Sequence, residues 1–95
     1  MRTGMETSSE QQARSFMSSG INGQRAEWAR VGVQAFANKT RGSRTDRDLS
    51  NQYVMEEAVS DLLCDLLHLL GAERFERCIH RGRTSYRIEI AEDAE

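Results

Sequence analysis

The side chains equipped for chemistry are few, and the tightest group sits in one stretch. Asp61, Cys64 and His68 recur at i, i+3 and i+7, so a helix would set them, together with Glu57, on one narrow strip. Zinc takes cysteine and histidine in tetrahedral sets, and ligands one turn apart can share an ion. Cys78 and His80 offer two further donors. No Cys-x-x-Cys knuckle accompanies them, so the expected reading is a surface histidine that hydrogen-bonds near Asp61 or Asp65, with no metal and no cofactor. Cys64 and His68 also have the i, i+4 spacing of a thiolate–imidazole pair, one ingredient of a nucleophile. A nucleophile needs an oxyanion site and a substrate cleft as well. A chain of 95 residues has little room for them, and the expectation is a protein that is not an enzyme.

The second chemical feature is a group of arginines. Arg74, Arg77, Arg81, Arg83 and Arg87 put five positive charges within one short segment, enough to follow a phosphate backbone. Glu73, Glu76 and Glu89 are interspersed, and Glu92, Asp93 and Glu95 follow. A solvated face with local ion pairs is the plainer explanation. A small nucleic-acid-binding regulator therefore stands as the alternative function, not the first.

These residues need elements to hold them. Residues 1–20 are polar and predict a flexible segment, with a short helix over Glu10–Met17 as the other reading; residues 21–95 read as a single helical domain. A helix begins after Asn22 and runs to about Asn38. Its apolar stripe is Trp28, Val31, Gly32, Ala35 and Phe36. Gly32 weakens that helix by about 1 kcal/mol relative to alanine, which points to close approach by a neighbouring helix. Lys39 to Asp48 is a polar loop with a basic cluster of Lys39, Arg41, Arg44 and Arg47. Ser50 or Asp48 then caps a long helix from about Asn51 to Leu70, closed by Gly71.

That second helix carries apolar residues over half its circumference. Leu62, Leu63, Leu66 and Leu70 are expected in the core with Trp28 and Phe36. The last segment, Ala72 to Ala91, fits two patterns. As a helix it aligns Phe75, Cys78, Ile79, Gly82 and Tyr86; as a hairpin it alternates Tyr86, Ile88 and Ile90 after a turn at Gly82. The predicted fold is all-α, a compact three-helix domain. The alternative is α+β, two helices and a C-terminal hairpin.

Composition narrows the function classes. Net charge is −2, which recommends neither nucleic acid nor an anionic membrane. There is no run of eighteen apolar residues and no signal-peptide pattern, so the expected location is the cytoplasm. Two cysteines are too few for a disulfide framework and fit reduced thiols.

Arg25-Ala26-Glu27-Trp28-Ala29 with Ala35-Phe36, then Asp61-Leu62-Leu63-Cys64-Asp65-Leu66-Leu67-His68, then Phe75 and Tyr86, resembles small uncharacterised proteins of bacterial mobile elements. These occur on phages, plasmids and gene cassettes. The likeness covers roughly residues 25 to 87, and the chain departs from the pattern at Gly82 and over Tyr86–Ile90. It implies three consecutive helices and an accessory product that binds and modulates another protein, for example as an inhibitor of the anti-CRISPR type. From the residues themselves, Val31, Val33, Leu67 and Ile90 are expected to stay partly exposed, Val33 and Leu67 because they fall at the edges of their stripes. Val33, Leu67 and Ile90 are thus the candidate partner-binding residues, with a homodimer as the expected partner state.

Overall fold

The computed structural model describes residues 20–94, as three α-helices and one 3-10 turn, with no strand among them. The helices are α1 (Gly20–Thr40), α2 (Gln52–Leu70) and α3 (Ala72–Ala94); the 3-10 turn spans Thr45–Arg47. The protein is all-α, and the hairpin alternative is overturned. The expected polar segment 1–20 lies almost wholly outside the described residues, as does the helix reading for Glu10–Met17. The described residues pack as two units, one comprising 30–83 and the other 20–29 with 84–94.

In the larger unit, Val33 and Ala37 of α1 form one core cluster with Leu49 and Ala58, and Val54, Met55, Val59 and Leu62 pack against it. Ala37 and Ala58 are fully buried. Val33 and Ala37 are one turn apart, so they define the inward face of α1. This reverses the predicted orientation of that helix. Trp28 and Val31 are 58% and 67% exposed, and Gly32 and Ala35 are exposed beside them. Of the apolar stripe legible in the sequence, all but Phe36 is exposed.

Gly32 is corrected with it. A Cβ there would meet nothing within 4 Å, so no neighbouring helix requires the glycine. The leucine core is corrected too. Leu62 reaches the cluster, Leu66, Leu70 and Phe36 are half-buried, and Leu63 is exposed. The N-terminal half of α2 supplies the core, and its C-terminal leucines lie beyond it.

Leu49 explains how α2 begins. It is 5% exposed, and a turn holds it there: the Asp48 carboxylate accepts hydrogen bonds from the Ser50 backbone N–H at 3.1 Å and hydroxyl at 2.6 Å. Asp48 and Ser50 are therefore committed to the turn. Asn51 caps the helix instead, its Oδ1 accepting from the N–H groups of Tyr53 (2.9 Å) and Val54 (3.2 Å).

One residue separates α2 from α3. Gly71 has φ 80° and ψ 159°, a region open essentially to glycine alone. Its N–H donates to the Leu67 carbonyl at 2.8 Å and its carbonyl accepts from the Phe75 N–H at 3.0 Å, so it ends one helix and starts the next. Arg74 strengthens the junction, its Nε donating to the Leu70 carbonyl at 2.7 Å. With this start fixed, the chain continues as helix through Gly82, where a Cβ would meet nothing within 4 Å.

In the smaller unit, Asn22 Nδ2 donates to the Glu89 carbonyl at 3.1 Å. Arg25 Nη1 donates to Asn22 Oδ1 at 2.7 Å and lies 3.7 Å from Glu89 Oε1.

Two glycine substitutions should act with opposite signs in urea denaturation. Gly71→Ala is expected to cost about 1–3 kcal/mol because alanine is strained in that backbone conformation. Gly82→Ala is expected to gain about 1 kcal/mol, since it replaces an uncontacted helix-interior glycine. A destabilised Gly82→Ala protein would contradict an uninterrupted α3.

Candidate functional site

The best-built polar site centres on Arg41, just past the end of α1. The Arg41 backbone N–H donates to the Ala37 carbonyl at 2.8 Å, which closes the helix. Its side chain then makes three bonds to two other elements. Nε donates to the Asp46 carbonyl in the 3-10 turn at 2.6 Å. Nη1 donates to Asp61 Oδ2 at 2.9 Å and Nη2 to Glu57 Oε1 at 2.8 Å, both on α2. The Arg41 side chain is 14% exposed, so these are charge-assisted bonds with much of the water excluded on the cationic side.

Glu57 and Asp61 stand at i and i+4, where like charges repel on a helix. The guanidinium between them turns that repulsion into attraction. Lysine would present a point charge where the site calls for a planar fork. The same carboxylates line an open cleft of about 450 Å³ with Tyr53, Glu56 and Ser60.

This arrangement reassigns the strip read from the sequence as a metal candidate. Asp61 holds Arg41, while Cys64 and His68 are exposed further along α2 and Cys78 is exposed on α3. Among the described residues, no three of His, Cys, Asp and Glu come together in a group able to hold a metal ion. Sequence reading placed Arg41 only in a basic loop cluster. Its one local signal was an arginine beyond a helix end, followed by an acidic i, i+4 pair.

The arginines of α3 are all exposed, but helical geometry divides them. At about 100° per residue, Arg74, Arg77 and Arg81 fall within about 60° of one another, and Arg83 and Arg87 fall on the opposite side. Two of the five have local roles: Arg74 caps α2, and Arg77 Nη1 lies 3.9 Å from Glu73 Oε1.

The partner-binding candidates also separate. Leu67 and Ile90 are 40% and 45% exposed. Val33 is 9% exposed and belongs to the core, so its expected exposure is overturned. Val33 is at a stripe edge only if α1 packs through Trp28 and Phe36; packing through Val33 and Ala37 puts it at the centre. Val31, also expected to stay partly exposed, is exposed.

No protein-family model matches the chain, and no curated protein or solved structure matches it either. No helix among the described residues is long and apolar enough to cross a membrane.

The turn that seats Leu49 can be tested by titration. Hydrogen bonds from the Ser50 hydroxyl and then the Ser50 backbone N–H stabilise the ionised Asp48 carboxyl and lower its pKa. A lowered folded-state pKa stabilises the fold above the unfolded value, and that contribution is lost as pH falls through the folded one. Ser50→Ala removes the larger cause, so the Asp48 carboxyl resonance should titrate at higher pH than in the parent. An unchanged titration would contradict the turn.

Proposed function

We propose that the protein is a non-enzymatic protein–protein interaction module whose first partner is a second copy of itself. The observation that carries this reading is the exposure of large apolar side chains on every helix. Trp28 and Val31 on α1, Leu63, Leu67 and Leu69 on α2, and Tyr86, Ile88 and Ile90 on α3 are all exposed. Single exposed apolar residues are ordinary on a soluble protein. Several per helix, including a tryptophan, call for a partner that removes them from water. Tryptophan and tyrosine are also among the side chains that carry binding energy when an interface covers them.

A twofold pair is the commonest way for one chain to satisfy such a surface. The resemblance to mobile-element proteins extends the proposal: the product of an accessory gene would use the same apolar residues to bind and modulate a larger protein. The arginines of α3, divided between two sides of the helix, give the nucleic-acid alternative no continuous track.

Sedimentation at micromolar concentration is expected to show a dimer. Leu67→Arg should shift the distribution to monomer while helical content is unchanged. A parent protein that sediments as a monomer at every concentration would overturn self-association.

A further inference from the structure

We propose that the cleft between the C-terminal half of α1 and the 3-10 turn binds the phosphate group of a small phosphorylated molecule. The cleft is about 460 Å³ and is lined by Gln34, Asn38, Arg44, Thr45, Arg47 and Asp48. Its cationic groups have not been consumed by the fold in the way Arg41 has. The Arg44 side chain has no hydrogen bond or ion pair among the described residues. Arg47 is tethered only through Nε, which donates to the Ser43 carbonyl at 3.1 Å. That tether orients the guanidinium and leaves its two Nη groups available.

The amides on the α1 wall are also ordered. Gln34 Nε2 donates to Asn38 Oδ1 and to the Arg47 carbonyl, each at 3.0 Å. With its oxygen engaged, Asn38 keeps its Nδ2 hydrogens as donors. The one opposing charge in the lining is Asp48, whose Oδ1 accepts from the Ser50 N–H and hydroxyl. The cleft therefore holds two guanidinium groups against one carboxylate, with a side-chain amide donor between α1 and the turn. Guanidinium forks match a tetrahedral oxyanion with several acceptor oxygens. This site shares no residue with the proposed interface, and neither reading depends on the other.

The test is an NMR titration of the isotope-labelled full chain with inorganic phosphate, ionic strength held constant with chloride. The expected result is saturable shifts of the Gln34 and Asn38 side-chain amides and of the Thr45 and Arg47 backbone amides. Arg44→Gln, which removes an exposed side chain without a partner among the described residues, should weaken binding about tenfold or more. Asp48→Asn should tighten it, a change of sign that a purely structural role would not produce. A sugar monophosphate should displace inorganic phosphate. Linear drift matching that in chloride, or equal affinity in Arg44→Gln, would overturn the site. Displacement by duplex DNA but not by the sugar monophosphate would overturn the small-molecule assignment.

Discussion

The Arg41 guanidinium ties the end of α1 to two other elements, and the larger unit is organised around that tie. Five N–H donors in a rigid plane let one side chain bond a backbone carbonyl and two carboxylates together. Most of the guanidinium is shielded and the carboxylates are only partly so. The cation pays the larger desolvation cost, and three acceptors offset it. With the loop drawn in at Asp46, the following turn delivers Leu49 into the core and leaves Asn51 to start α2. Each step sets the geometry of the next.

A core assembled in this way is narrow. Two of its four buried members are alanines, Ala37 and Ala58, whose methyl groups bury little area. The apolar material on the outer side of α1 and on the C-terminal half of α2 is left out of it. Sequestering that material within the same unit would need larger inward residues or another element. An economical fold and a surface rich in apolar contacts therefore have one cause, which is why the functional reading rests on association and not on a pocket with reactive groups.

Much of the fold was legible from the residues. The first two helices follow from 3.6-residue periodicity and the absence of proline, and Gly71 as the α2 terminator follows from its position after Leu70. The helical state of α3 was ambiguous because Thr84, Ile88 and Ile90 favour strands locally. Gly71, Arg74 and Phe75 set the helix from its first turn, and the chain continues from there. What the pattern could not supply was direction. Periodicity finds an apolar stripe, but it does not say whether that stripe meets its own core or a partner, and on α1 Trp28 and Val31 are exposed. Leu49 and Asn51 escaped because each acts alone inside a polar stretch. Of the residues expected to stay partly exposed, Leu67 and Ile90 are exposed, and Val33 is buried by the same inversion.

The dependence of the larger unit on Arg41 can be measured as a coupling energy. A double-mutant cycle combining Arg41→Met with Asp61→Asn, followed by urea denaturation, isolates the interaction from the other effects of each change. If the guanidinium bridges α1 to α2 as described, the two substitutions together should cost less than the sum of each alone, with a coupling of at least about 0.5 kcal/mol. Strict additivity would show that Arg41 and Asp61 do not hold each other, and would contradict the account of how this unit is built.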